Sequence, residues 1–341
     1  MSGRSVVWAA SLTLLLGVLA LASVVVGNVV IAPRDVLASL AIGLGLAPDP
    51  QAPAMLQRIV VDLRLPRALL ALLVGAGLSL VGALLQTVTR NDLADPFLFG
   101  LSSGAAAGAV AVISITGDLL GRWTLPAAAF AGGMIAVACV LLLARRSQGA
   151  GPERMVLAGL AVSFLFSALT HYLVFAGDQR AAHSLLFWSL GGLGLARWDN
   201  LPIAMIGFTV LFVYGMKRRH ALDALLAGDA TAHSLGVNPT RVRTETFIVA
   251  AFATSTFVAL AGVIGFVGLM VPHLARALGG ALHSGALPFC ALLGALLLLA
   301  SDVVSRTLLA PQELPVGIVT ASIGALFVIG MLWRRPVRDH G

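Results

Sequence analysis

Long apolar stretches separated by short polar connections run through the whole chain. Ten of these stretches are long enough to form helices that cross, or nearly cross, a hydrocarbon core about 30 Å thick. The pattern predicts an all-α, polytopic membrane helical bundle of about ten transmembrane helices. The predicted spans are Val6–Ile31, Leu65–Val88, Pro96–Ile115, Leu125–Ala144, Met155–Phe175, Leu201–Met216, Thr246–Ala261, Val263–Leu278, Leu287–Val304 and Leu314–Trp333.

Two of these spans allow a second interpretation. The first begins after Arg4 and contains Ala20-Leu21-Ala22, as a cleavable signal peptide would. Its apolar run is longer than a usual signal core, so we interpret it as an uncleaved span. The eighth span contains Pro272, and because proline removes a helix hydrogen bond we expect that helix to be broken.

Composition supports a membrane location. Hydrophobic residues make up 59% of the 341 residues and charged residues only 11%, whereas about a quarter are charged in soluble domains. The net charge of +7 would suggest nucleic acid as a partner of a soluble protein. Here the basic residues lie mostly in connections between spans, so we expect contact with membrane lipid and none with nucleic acid.

The basic residues also predict orientation. With the N-terminus inside, 14 of the 22 Lys and Arg residues fall on the inner side and 8 on the outer side. Cytoplasmic loops collect Lys and Arg, so both termini are predicted to be cytoplasmic. The outer arginines are more numerous than topology alone requires, which suggests a second use for them.

The sequence offers few groups for chemistry. Its one lysine, Lys217, is not part of a phosphate-binding loop, and no metal-ligand spacing occurs. The spans contain few ionisable residues, and His171 and Asp302 are the two considered as possible sites for a coupling ion. Asp302 precedes Arg306 by four residues, which favours a local ion pair, and His171 is interpreted as structural. We therefore predict a passage, not an enzyme, that takes its energy from a partner, with an ion-coupled secondary transporter as the alternative.

The longest polar segment, Lys217–Arg243, is predicted to lie on the inner side. It reads as two short helices around Gly228-Asp229, with Asp229 as an N-cap and Gly236 as a terminator. The leucines of this loop need cover, from a partner surface or from the chain's own bundle. They are Leu222, Leu225, Leu226 and Leu235.

Several fragments, in this order, resemble the iron-siderophore, haem and cobalamin permease family of ABC importers. They are RLPRALLALLVGAGLSLVGALLQ from Arg64, NDLADPFLFGLSSGAA from Asn91, FWSLGGLG from Phe187, GVIGFVGLMVPHLAR from Gly262 and ELPVGIVTASIGA from Glu313. The resemblance implies a type II ABC importer permease fold, a single permease domain over 1–341 and a homodimer. It also implies a bacterial cytoplasmic membrane and import of an iron(III)-siderophore first, then haem or cobalamin.

The resemblance further implies that segment 217–243 couples the chain to two cytoplasmic ATPase subunits, which carry ATP and Mg while this chain binds no cofactor. The implied coupling residues are Leu222, Leu225, Leu226, Gly228, Asp229, Ala232, Leu235 and Gly236. A periplasmic or lipid-anchored binding protein would dock through its glutamates on Arg64, Arg67 and Arg306. For Arg64 and Arg67 the alternative is anchoring at the membrane interface.

The inner gate of the family matches Asn91, Asp92 and Leu93, together with the connection around Gly149 to Pro152. Relatives usually read Asn-Pro-Leu at the first of these places. The aspartate in this chain adds a charge beside the implied constriction, and it leaves the backbone shape of the gate open.

Overall fold

A computed structural model describes residues 3–27, 31–43, 54–97, 99–116, 121–146, 152–177 and 188–334. All regular structure in these residues is helical. Short π-helical turns follow α3 and α5, at Arg58–Arg64 and Val112–Thr116. The α-helices are α1 (Gly3–Val25), α2 (Pro33–Gly43), α3 (Ala54–Gln57), α4 (Leu65–Thr89), α5 (Leu101–Ala111), α6 (Thr124–Arg146), α7 (Pro152–Ala176), α8 (Leu201–Leu226), α9 (Asp229–Ser234), α10 (Pro239–Ala261), α11 (Val267–Gly279), α12 (His283–Thr307) and α13 (Val316–Arg334).

Each of the ten predicted spans contains a helix, which confirms the all-α bundle. Within the described ranges, seven helical segments are long and apolar enough to cross a membrane. These are α1, α4 with the turn before it, α6, α7, α8, α10 and α12. Helices α5 and α13 provide shorter apolar segments.

For two spans the predicted first residue lies before the observed start of the helix. The third begins at Leu101, because Asp95 accepts the N–H of Phe97 in a turn and Gly100 has a φ of 77°. The eighth begins at Val267, after Phe266 with a φ of 67°. With 13 residues, α11 rises about 20 Å, too little to cross the core alone. The sequence pattern also missed α2, which lies between the first two spans.

Helix α4 lies at the centre of the bundle and is buried along nearly all of its length. It packs against α8, α10, α11 and α12. Glycines allow the closest approaches, Gly75 against Gly294 of α12 and Gly82 against Gly268 of α11. Small residues at such crossings let helix backbones come close enough for dispersion contacts in lipid, where apolar burial gives no drive.

The contacts between helices define two ends of the bundle. Helix α1 finishes beside Arg64 and Arg306, whereas Val88 of α4 lies beside Arg243 at the opposite end. Helix α1 therefore begins, and α13 finishes, at the end that carries the loop around α9. The shared end agrees with an even number of crossings. We call it the loop end and the other the arginine end.

Candidate functional site

The loop around α9 is partly as predicted. Its first predicted helix is not separate, because α8 continues without a break to Leu226. The second is α9, which follows Gly228 with a φ of 115°. Gly236, with a φ of 77°, ends α9 as predicted, since this left-handed conformation favours glycine. Asn238 then caps α10 by accepting the N–H of Arg241 at 3.1 Å.

The apolar side chains of this loop divide into two sets. Leu222, Leu225 and Ala232 are fully buried against the chain's own bundle, so for Leu222 and Leu225 the bundle supplies the cover that these leucines need. Leu226 and Leu235 keep 46% and 67% of their surface exposed. These two leucines, which we call the loop pair, flank α9 at the loop end.

Asp229 does not cap α9, as the sequence had suggested; Gly228 occupies the cap position. The Asp229 carboxylate instead accepts hydrogen bonds from both terminal nitrogens of Arg243, at 2.9 Å for Nη1 to Oδ2. These bonds, followed by the nearby charges of Arg243 and Arg90, hold the pKa of Asp229 below its usual range despite partial burial. The carboxylate therefore stays charged, and the contact is lost only as pH falls through that lowered pKa.

Residues 91–93, predicted to be the inner gate and called the gate segment below, form a compact turn after α4. Asn91 Oδ1 accepts the N–H of Leu93 at 2.9 Å, and the Asn91 carbonyl accepts the N–H of Ala94 at 3.0 Å. The turn thus forms with aspartate at position 92. Asp92 points outward to Arg276 of α11, with its carboxylate 3.2 Å from Nη2. Of the second gate connection, residues 147–151 lie outside the described ranges.

Arg276 also connects the gate segment, through Gln86, to the part of α11 that precedes Pro272. Its Nη2 donates to Gln86 Oε1 at 2.8 Å, and Gln86 Nε2 donates to the carbonyl of Gly268 at 3.1 Å. Pro272 has no N–H to offer that carbonyl, four residues before it. Gln86 therefore supplies the hydrogen bond that the proline removes, which explains how α11 remains continuous.

Two of the three arginines implied in docking are internal. Arg64 and Arg306 are nearly buried, and their guanidinium groups donate to the backbone carbonyls of residues 23–26 at 2.8–3.1 Å. These are the last three carbonyls of α1 and the carbonyl of the residue that follows it. Those carbonyls have no partner within the helix, and a cation suits the negative end of the helix dipole. In this structure the guanidinium groups of Arg64 and Arg306 fix α1 to the bundle, and docking of a partner on these two arginines stays a prediction.

Arg67 joins a buried ion cluster at the same end. Its Nε lies 2.9 Å from Asp302 Oδ1, and its Nη1 lies 2.8 Å from Glu313 Oε2. The other Asp302 oxygen lies 3.0 Å from Nη2 of Arg306, which confirms the ion pair predicted from their spacing. Arg64, Arg67, Arg306 and Glu313 line a cavity of about 330 Å³ that opens at the arginine end.

Other candidate chemistry is sparse in the described ranges. They contain no group of three His, Cys, Asp or Glu residues placed to hold a metal ion. His171 lies on an exposed part of α7. The arrangement of the described polar groups is suited to fixing helices and loops to one another.

Comparison with known proteins decides the family. The model of the FecCD transport family matches residues 14–334. The chain belongs to the FecCD transport family. Its members are ABC transporter permeases, so this FecCD permease is a multi-pass transport subunit and not a catalytic enzyme. Such a permease works with an ATPase and a substrate-binding protein.

Three relatives cover most of this FecCD permease. It is 35% identical over 329 residues to the vitamin B12 import permease BtuC of Salmonella paratyphi A, with 96% of this chain and 95% of that protein covered. It is 37% identical to the hemin transport permease HmuU of Yersinia pestis, with 83% and 85% covered. It is 40% identical to the cobalamin import permease BtuC of Halobacterium salinarum, with 84% and 76% covered.

A solved structure shares the fold. An inward-facing metal-chelate type ABC transporter matches with a TM-score of 0.83 and 31% identity, over 96% of this chain and 99% of that chain. The match extends through almost the whole permease. It supports the predicted ABC importer permease fold of this FecCD permease.

Sequence reasoning missed several residues that build these contacts: Gln86, Arg243, Arg276 and Glu313. Arg243 and Arg276 entered it only as inner-side charges for topology. One signal was available for Arg243, because its neighbours Val242 and Phe247 are apolar, and both are buried in the structure. A charged side chain in such surroundings needs a partner in the fold.

Proposed function

We propose that this FecCD permease imports a bulky metal chelate, an iron(III)-siderophore, haem or cobalamin, into the cytoplasm. The named relatives, which carry hemin and cobalamin, support this class of cargo. A separate ATPase supplies the energy. Alternating access would then take place in a two-fold dimer of this chain in a bacterial cytoplasmic membrane, with both termini inside.

The observation that carries the proposal is the loop pair. Leu226 and Leu235 are exposed on a loop whose other two leucines, Leu222 and Leu225, are buried. The loop is also anchored, since Asp229 is bonded to the buried Arg243. An exposed apolar surface on a rigid support suits a permanent partner. We infer that each copy docks one ATPase subunit here, with Gly228 and Gly236 shaping the turn.

The other two proposed sites lie at opposite ends. The binding protein would dock at the arginine end, where Arg67 and Glu313 keep part of their side chains exposed. The gate would be residues 91–93, where Leu93 is half exposed. Arg64 and Arg306 would support the docking face from behind by fixing α1.

Replacing Leu235 with glutamate tests the docking surface. Because it puts a charge into the proposed apolar contact, we expect it to weaken ATPase binding by about 2 kcal/mol or more. The measurement is the amount of ATPase that copurifies with the permease at increasing ionic strength. Leu309→Glu is the matched control, because Leu309 is also a leucine with more than half of its surface exposed but lies at the arginine end. Equal copurification of the two variants would exclude the loop pair as the docking surface.

Uptake measurements test the cargo. An iron-limited strain that lacks this chain is complemented with it and offered labelled ferric siderophore, haem and cobalamin side by side. We expect one of the three to accumulate only when the partner ATPase is present and active. Accumulation driven by an ion gradient without any ATPase would favour the secondary transporter instead, and no accumulation of any chelate would contradict the proposed cargo class.

A further inference from the structure

Three helices meet at the Asp229 carboxylate. Asp229 opens α9, and Arg243, which binds it with two nitrogens, belongs to α10. The third nitrogen of Arg243, Nε, donates to the carbonyl of Val88 at 3.0 Å, in the last turn of α4. Arg243 is only 2% exposed, so its guanidinium has little freedom to move separately. A two-point bond between a guanidinium and a carboxylate also fixes their relative orientation.

A second arginine connects the same carboxylate to the gate segment. Arg90 ends α4 in a left-handed conformation, with a φ of 49°. Its Nη2 lies 3.5 Å from Asp229 Oδ1, and its Nε lies 3.4 Å from the carbonyl of Leu225. The next residue, Asn91, begins the gate segment. One side chain therefore separates the first residue of α9 from the gate.

We propose that Asp229, Arg243 and Arg90 form a rigid linkage that transmits displacement of α9 to the gate segment. This inference rests on the proposed function, in which an ATPase moves α9. When α9 moves, the charged contacts carry the end of α4, through Val88 and Arg90, in the same direction. The three are positioning residues, since their side chains are bonded within the chain and none of them belongs to the loop pair.

A neighbouring ion cluster provides a control for this linkage. Glu245 pairs with Arg218 at 2.6 Å and with Arg241 at 2.8 Å, also at the loop end. That cluster joins α8 to α10 and touches neither α9 nor the gate segment. It has similar charges and similar pairing, so it is a matched control for effects on folding and assembly.

The first test separates ATP hydrolysis from transport. The complete complex, reconstituted in proteoliposomes, carries Asp229→Asn, Arg90→Gln or the control Glu245→Gln. Its cargo is whichever of ferric siderophore, haem or cobalamin the wild-type complex accumulates. For Asp229→Asn and Arg90→Gln we expect assembly and ATP hydrolysis to remain near wild type. Transport per ATP should fall about tenfold, which corresponds to losing a typical coupling free energy between two sites. Glu245→Gln should match the wild type.

The second test follows the motion itself. Spin labels are attached at His233→Cys on α9 and at Leu93→Cys in the gate, since both positions are exposed. Cys139 is first replaced by alanine, and Cys290 is buried. In the otherwise unaltered complex, ATP should shift the distances between the two copies at both labels. With Asp229→Asn, the label at position 233 should still respond and the label at position 93 should not, which a merely structural contact would not produce.

The outcomes separate the two proposals. A wild-type complex that takes up none of the three chelates with its ATPase would overturn the proposed function, and the linkage with it. A working wild-type complex in which Asp229→Asn transports normally, or still moves position 93, would overturn the linkage alone. Loss of ATPase binding in both Asp229→Asn and Arg90→Gln would also overturn it, since the carboxylate would then belong to the docking surface.

Discussion

Replacing Asp302 with asparagine is expected to destabilise the permease by about 3–5 kcal/mol, the usual cost of removing one partner from a buried ion pair. The Asp302 side chain is fully buried between Arg67 and Arg306. Asparagine keeps the shape but removes the negative charge, so two guanidinium groups would be left facing each other with only Glu313 nearby. The measurement is thermal unfolding of the purified permease in detergent.

Glu313→Gln is the control for this prediction. Glu313 contacts the same arginine, Arg67, but its side chain is 39% exposed. Water can replace a lost contact at such a site, so we expect a loss of no more than about 1 kcal/mol. If both variants unfolded at the same temperature, the buried cluster would not be what fixes the arginine end.

The Asp302 cluster also shows how far sequence reasoning reached. The pair between Asp302 and Arg306 could be predicted, because residues four apart share one face of a helix. Arg67 lies 235 residues before Asp302, and Glu313 lies 246 residues after Arg67. No local spacing brings these groups together. These groups come together because α4 packs against α12. The apolar pattern of either helix alone does not predict that packing.

The loop around α9 shows a similar division. Gly236 was predicted correctly, because a left-handed turn depends on local backbone conformation. Asp229 was misplaced as an N-cap, because a residue 14 positions later, Arg243, takes up its carboxylate. A stronger tertiary contact thus displaced a weak local one. The polar pattern and the family resemblance both identified the segment, and the contacts show which of its residues face outward.

The burial of two outer arginines could not be predicted from the sequence, for a physical reason. A sequence indicates the side of the membrane on which a charged residue lies, but not how deeply that residue is buried in the fold. Arg64 and Arg306 lie at the arginine end, yet they bond to the carbonyls that end α1. Helix α1 thereby becomes part of the bundle. Of that cluster, Arg67 and Glu313 keep the largest exposed fractions of their side chains and are the better candidates for a partner on this side.

Replacing Gly82 with alanine is expected to cost about 3 kcal/mol, the upper end of ordinary overpacking. A Cβ at this position of α4 would overlap the Gly268 carbonyl of α11. Both groups belong to packed helices, so no flexible side chain can move aside. The two helices would have to separate, and Gln86, one turn after Gly82, would lose the carbonyl of Gly268.

Because Pro272 has no N–H, the Gly268 carbonyl would then have no donor in its own helix. The cost of this unsatisfied buried group adds to the steric cost. We expect Gly82→Ala to unfold in detergent at a clearly lower temperature than the wild type. Gly330→Ala in α13 is the matched control, because a Cβ there meets no atom within 4 Å. Alanine favours the helix by up to about 1 kcal/mol over glycine, so the control should unfold at the same or a higher temperature. A Gly82→Ala variant as stable as this control would show that α4 and α11 are not held together by their backbone contact.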